Sequence, residues 1–149
     1  MPISADLIQK LRTETGVSVM ACKRALERAE GDLAKALEYL KEEGALLASK
    51  KSSRETKAGI ISSYVHGGKI GVLVELKCET DFVARNPEFQ NFAREIAMQI
   101  AAVNPVDLSE LLESLYIRKS DVKVSEWLRE MIQKFGENIE IARFYRLEL

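Results

Sequence analysis

Three places in the chain carry side chains that could do chemistry. The sole histidine, His66, precedes Gly67-Gly68; the two cysteines, Cys22 and Cys78, lie in apolar runs; and an acid–aromatic pair, Asp81-Phe82, interrupts the connecting stretch ETDFVARNP at 79–87. A histidine serves nucleophilic catalysis when a Ser or Cys and an orienting acid meet it, and no such set is placed in sequence around His66. Spatial proximity is left for the structure to decide. The cysteines lack CxxC spacing or a histidine cluster, and no carboxylates show metal-ligand spacing, so neither a metal site nor a cofactor is expected. Both thiols read as small buried hydrophobes, and a reducing compartment disfavours a disulfide between them. Gly67-Gly68 is no phosphate loop: GKS or GKT is missing and the flanks read strand–turn–strand. What remains is contact rather than catalysis, so the chain is not expected to be an enzyme.

Two stretches are suited to contact. In TGVSVM at 15–20, Met20 falls on the helical face of Lys23, Arg24 and Glu27, while Val19 is assigned to the buried stripe. An adaptable Met beside basic side chains suits a protein-binding tip, and folding back over the junction of the first two helices is equally open. In Thr80-Asp81-Phe82-Val83, Phe82 either packs back onto the helix that follows Asn86, with Asp81 capping an irregular turn, or projects as a wedge with Asp81 as its anion. Pattern alone favours packing.

The elements that must carry these residues follow from periodicity. Ser4 caps a helix with Leu7, Ile8 and Leu11 inward, ended near Gly16; Ser18 caps a second with Val19, Cys22, Leu26 and Ala29 inward, ended by Gly31. Asp32 caps a third with Leu33, Ala36, Leu37 and Leu40 inward and Gly44 past its end, giving a three-helix module over 1–45. Residues 46–58 form a basic linker with room for some helix, in which Lys50, Lys51, Arg54 and Lys57 outweigh Glu55; a solvated spacer is favoured over an RNA-binding patch because no aromatic is interleaved. Residues 59–149 read as an α+β core, begun by strands at 59–66 and 69–78 around Gly67-Gly68, a hairpin signal. Gly71 suggests a bulge or a close backbone approach.

Asn86-Pro87 begins a helix carrying Phe89, Phe92, Ile96, Ile100 and Val103, stopped before Pro105. Residues 106–124 are the least legible, with Leu108, Leu111, Leu112 and Leu115 suggesting a short helix; Ser125 caps another with Leu128, Ile132 and Phe135 inward, closed by Gly136. Ile139, Ile141, Tyr145, Leu147 and Leu149 predict a C-terminal strand on one parity, with Ala142 and Phe144 on the other. The fold class is therefore α+β, a three-stranded antiparallel sheet packed by helices, whose edges need cover.

At 149 residues, 46% hydrophobic, 30% charged and a net charge of -1, the chain suits one compact domain or a small module beside a larger one. Near neutrality argues against a dedicated nucleic-acid binder. No apolar run is long enough to span a bilayer, and MPISAD at the start lacks the basic and apolar regions of a signal peptide, so a cytoplasmic protein without membrane contact is expected.

Longer motifs add a resemblance. LRTETGVSVMACKRAL at 11–26 with EGD at 30–32, HGGKIGVLV at 66–74, CETDFVARN at 78–86 and FGENI at 135–139 together resemble the elongation factor Ts family, from the N-terminus to about Pro105 and from near Leu111 to the end. The resemblance implies guanine-nucleotide exchange on elongation factor Tu. It implies that the N-terminal module is a ubiquitin-associated-like fold docking on the partner's GTPase domain. Arg12, Gly16, Val19, Met20 and Lys23 would make that contact, Val19 standing where the family usually has a second Met. It further implies that Phe82 is a wedge entering near the partner's Mg²⁺ site, that Asp81 perturbs that ion's surroundings, that Thr80 and Val83 shape the turn, and that the hairpin tip with His66 is another contact.

Long members of the family duplicate the core and insert a helical hairpin; here only a few residues separate Pro105 from Leu111. Short members pair two chains, which implies a homodimer through the sheet. The competing class is a ubiquitin-associated-like adaptor without exchange activity; a nucleic-acid binder using residues 50–57 conflicts with the net charge.

Overall fold

The computed structural model describes residues 2–149. In chain order the elements are α1 (Ala5–Thr15), α2 (Val19–Arg28), α3 (Leu33–Lys51), β1 (Ala58–His66), β2 (Ile70–Cys78), α4 (Asp81–Ala84), α5 (Pro87–Val103), α6 (Leu108–Glu113), β3 (Leu115–Tyr116), β4 (Lys119–Lys123), α7 (Val124–Phe135) and β5 (Glu140–Glu148). The fold is α+β. Among the described residues, no helix is long and apolar enough to cross a membrane. Two compact units are distinguished, one ending at Ser53 and including Arg129–Gly136, the other comprising Arg54–Leu128 and Glu137–Leu149.

In the helical unit each N-cap does what its side chain allows. The oxygens of Ser4, Ser18 and Asp32 accept from the amides of Leu7, Ala21 and Lys35, satisfying donors that a helix start leaves open. Gly16 takes a left-handed conformation, φ 69°, and closes α1 by donating to Arg12 O at 2.7 Å. Leu11, Cys22, Leu26, Ala36 and Leu40 form the core. Val19 departs from expectation: it is exposed, and Val17 is buried in its place. The reason is a hydrophobic staple, because Val17 stands just before the Ser18 cap and meets Cys22 one turn into α2, whose Sγ lies 3.7 Å from Val17 O.

Gly44 likewise does not end α3, which continues to Lys51 through the first part of the basic stretch. Gly44 is buried in the helix because another chain segment comes close: a Cβ there would lie 2.8 Å from Oε1 of Gln133. The glycine therefore serves close approach rather than termination. Farther along, the Lys51 ammonium donates to Gly136 O at 2.6 Å, so the end of α3 holds the end of α7.

The second unit is built on the antiparallel order β1-β2-β5, with β2 central. Val72, Val74, Leu76 and Cys78 of β2 face Phe89, Phe92, Ile96 and Ile100 of α5, all buried. A register shift changes β5: Leu76 pairs with Ile141 but Glu75 pairs with Arg143, leaving Ala142 as the extra residue of a bulge. Parity inverts there. Ile141 is on the core side before the bulge and Phe144 and Arg146 after it, so Tyr145 and Leu147 do not share the face of Ile141 and are exposed. Arg146 spends its guanidinium on Ala101 O, at 3.3 and 3.0 Å, near the end of α5. Gly71 is at neither a bulge nor a close approach; that constraint falls on Gly59, where a Cβ would lie 2.4 Å from Leu76 O.

Residues 106–124 hold α6 and a second, two-stranded sheet, β3-β4. The fully buried Gln99 of α5 anchors it, donating to Leu115 O at 2.8 Å and accepting from Ile117 N at 3.0 Å. Tyr116 stacks on Trp127 at 4.0 Å, and Trp127 meets Phe92 edge-on.

Candidate functional site

The connection from β2 to α5 contains a helical turn of its own. Thr80, rather than Asp81, is the cap: its Oγ accepts from Val83 N at 3.3 Å, and Asp81 is the first helical residue of α4. A carboxylate in that position faces the positive end of the turn. Asn86 then accepts from Glu88 N at 2.8 Å and Pro87 opens α5. The turn therefore has one defined orientation. Val83 and Ala84 are buried beneath it, Thr80 and Asp81 are exposed, and Phe82 is 85% exposed. Phe82 does not pack back onto α5. Of the four residues of this motif, Val83 holds the turn to the core, and the other three face solvent.

Cys78 and Glu137 fix the turn from its N-terminal side. The Cys78 thiol donates to Thr80 O at 3.3 Å. Its pKa is pushed up to about 11, first by burial and then by the negative charge of Glu137, so it stays a neutral donor at physiological pH. One oxygen of the Glu137 carboxylate accepts from the amides of Glu79 and Thr80, each at 3.0 Å, and the other from the Thr80 hydroxyl at 2.7 Å. Glu79 in turn accepts from Asn138 N at 2.8 Å and pairs with Arg54 at 3.6 Å. Sequence reasoning assigned no role to Glu137, which is distant in the chain; the strand pairing of β2 with β5 brings it there.

A second surface lies at the α1–α2 junction. Gly16, Val19 and Met20 are exposed there, Met20 at 60%, with Arg12 on the last turn of α1 and Lys23 one turn into α2 also exposed. Lys23 reaches Glu27 at 4.0 Å, a weak surface pair. At the tip of the β1–β2 hairpin, Gly67 and Gly68 have φ of 56° and 69°, which the tight turn requires, and Lys69 N donates to His66 O at 3.0 Å. His66 is exposed, its Nδ1 2.8 Å from the Tyr64 hydroxyl. Among the described residues, no cluster of His, Cys, Asp or Glu could hold a metal ion. The basic stretch is largely engaged within the chain: Lys51 with Gly136, Arg54 with Glu79, Lys57 with Glu55.

The family model described as elongation factor TS matches residues 79–149, the segment that begins at this turn and ends with the strand bracing it. The chain is also similar over nearly its whole length to elongation factor Ts of Desulfosudis oleivorans, 38% identical over 193 residues, covering 99% of this chain and 98% of that protein. The chain belongs to the elongation factor Ts family. Elongation factor Ts of Thermotoga neapolitana is 40% identical, covering 100% of this chain and 98% of the relative, and the chloroplastic protein of Guillardia theta is 40% identical with 99% and 89% covered. The 193-position alignment with a chain of 149 residues means that the relatives carry segments without a counterpart here.

Proposed function

We propose that this protein is a guanine-nucleotide exchange factor for elongation factor Tu that works by contact, in the cytoplasm, without covalent chemistry. The observation that carries the reading is Phe82, 85% exposed beside Asp81 on a turn tied down at both ends. Burying an exposed Phe against water gains roughly 1.5–3 kcal/mol when it enters an apolar site, so a partner that opens to receive it is stabilised in the open form. In the partner, GDP is held by amides around its phosphates and by Mg²⁺. A wedge that binds best when those groups are displaced weakens GDP by the factor by which GDP weakens the wedge. Asp81 brings a negative charge toward the phosphate and metal site; Thr80 and Val83 fix the turn. GTP then refills the empty site.

Docking falls to Met20 and Val19 at the α1–α2 tip, with Gly16 closing the turn and Arg12 and Lys23 adding charge; their exposure supports this assignment. The helical unit would in this reading be ubiquitin-associated-like, and His66 at the hairpin tip a further contact. A homodimer completes the proposal. Ile61, Val65, Leu73, Tyr145 and Leu147, between 50% and 75% exposed, share the sheet face opposite α5. So large an apolar surface signals an interaction site, and a second copy presenting the same face covers it symmetrically. Gly71 leaves open space on that face. Release of labelled GDP from elongation factor Tu tests the exchange activity: acceleration by this protein is expected, and none at saturation would leave an adaptor that binds without exchange.

A further inference from the structure

We infer that Glu137 is a positioning residue for Phe82, an inference that rests on the reading of Phe82 as the group acting on the partner. α4 is a single turn of four residues, Asp81–Ala84, and one turn does not sustain itself because nucleation is unfavourable. Its direction must come from its ends. The C-terminal end is secured by the buried Val83 and Ala84 and by the start of α5 at Pro87. At the N-terminal end, Glu137 accepts from Glu79 N, Thr80 N and the Thr80 hydroxyl, at 3.0, 3.0 and 2.7 Å. Thr80 passes the constraint on by capping Val83 N. Glu79 returns the bond through Asn138 N at 2.8 Å, so two carboxylates exchange backbone amides just beyond the last ladder pair, Lys77 with Glu140. Bonds from amides to an ionised acceptor are the stronger kind.

What this clamp orders is surface rather than core. Thr80, Asp81 and Phe82 are exposed, whereas Phe89, Phe92 and Leu76 are buried. Loss of the carboxylate therefore frees the turn while the sheet and α5 stay in place. A wedge that samples many directions presents its competent one for a smaller fraction of the time, and its effect on the partner falls by that fraction.

The test uses the full chain as wild type, Glu137→Ala, Glu137→Gln, Phe82→Ala and Glu137→Ala/Phe82→Ala. The rate of labelled GDP release from elongation factor Tu is followed against factor concentration. Glu137→Ala is expected to lower the plateau about tenfold, with the half-saturating concentration changed by less than about twofold. Glu137→Gln keeps a carbonyl oxygen for the two amides and recovers most of the plateau. In the Phe82→Ala background, Glu137→Ala does nothing further, as coupling between the two residues requires. Amide hydrogen exchange, read without the partner, speeds at Glu79, Thr80 and Val83 in Glu137→Ala and not at Val74.

A merely structural role leaves fewer folded molecules, which raises the half-saturating concentration and leaves the plateau unchanged; that result overturns the inference. So does amide exchange at Thr80 that stays unchanged in Glu137→Ala; should the alanine variant not fold, Glu137→Asp, whose shorter side chain cannot reach both amides and the hydroxyl, supplies the same readout. If Phe82→Ala lowers the plateau and Glu137→Ala does not, only the positioning role fails. Should wild type not accelerate release at all, the reading of Phe82 fails and the inference with it.

Discussion

Phe82 and Phe89, one helical turn and a short connection apart in sequence, lie in opposite environments: Phe82 is 85% exposed and Phe89 is fully buried against the sheet. The pair separates function from stability. Phe89→Ala should cost roughly 3–5 kcal/mol in denaturant unfolding. Phe82→Ala should change stability by no more than about 0.5 kcal/mol, as at an ordinary surface site, while lowering the exchange plateau. A loss of several kcal/mol in Phe82→Ala would show that its ring packs in solution.

The sheet face predicts association. Leu73 of β2 pairs with Tyr145 of β5, and Gly71 with Leu147, on a face whose large side chains are exposed. Sedimentation should give about twice the 16.8 kDa chain mass. Leu73→Lys and Leu147→Asp should both shift the protein toward monomer, because each places an unpaired charge within the apolar face. A monomer mass for wild type at working concentration contradicts the homodimer.

Glycine substitutions distinguish a crowded backbone from an open one. Gly59→Ala puts a Cβ 2.4 Å from Leu76 O and forces β1 away from β2. The cost is expected at about 1–3 kcal/mol, typical of overpacking. Gly71→Ala meets nothing within 4 Å and should leave unfolding within about 0.5 kcal/mol of wild type. Urea unfolding of the two variants side by side decides it.

Cys78 predicts a pH dependence. Its folded pKa of about 11 lies above the ordinary 9.0, so the folded state holds the proton more tightly than the unfolded one. The thiol's contribution is therefore fully present below pH 9 and is lost as pH rises toward 11. Stability of wild type should fall through that window more steeply than that of Cys78→Ser, and thiol reagents at pH 8 should leave Cys78 unmodified until the protein unfolds. An equal slope in both proteins, or rapid labelling in the folded state, argues against a buried neutral thiol.

Much of the architecture was legible because it rests on local chemistry. The Ser4, Ser18, Asp32 and Asn86 caps, the Gly67-Gly68 hairpin and the apolar stripe of α5 each follow from side chains within a few residues. The failures are tertiary. Gly44 looks like a helix terminator until Gln133 approaches it, and Val19 looks buried until Val17 occupies that place. The C-terminal strand kept its apolar alternation while the bulge at Ala142 turned Tyr145 and Leu147 outward, which one-strand periodicity cannot register. β3 and β4 were illegible because Lys119–Lys123 has no apolar alternation, and because Leu115 and Ile117 are held by Gln99, 16 and 18 residues earlier in the chain. At the site, the motif around Phe82 was visible in sequence, but its exposure and its tie to Glu137 needed the pairing of β2 with β5.

The most direct test is the dissociation of labelled GDP from elongation factor Tu in the presence of Mg²⁺, with increasing wild-type protein and with Phe82→Ala in parallel. The account predicts a release rate that rises to a plateau with wild type, and a much lower plateau with Phe82→Ala at undiminished stability. Release that stays at its spontaneous rate with saturating wild-type protein would contradict it.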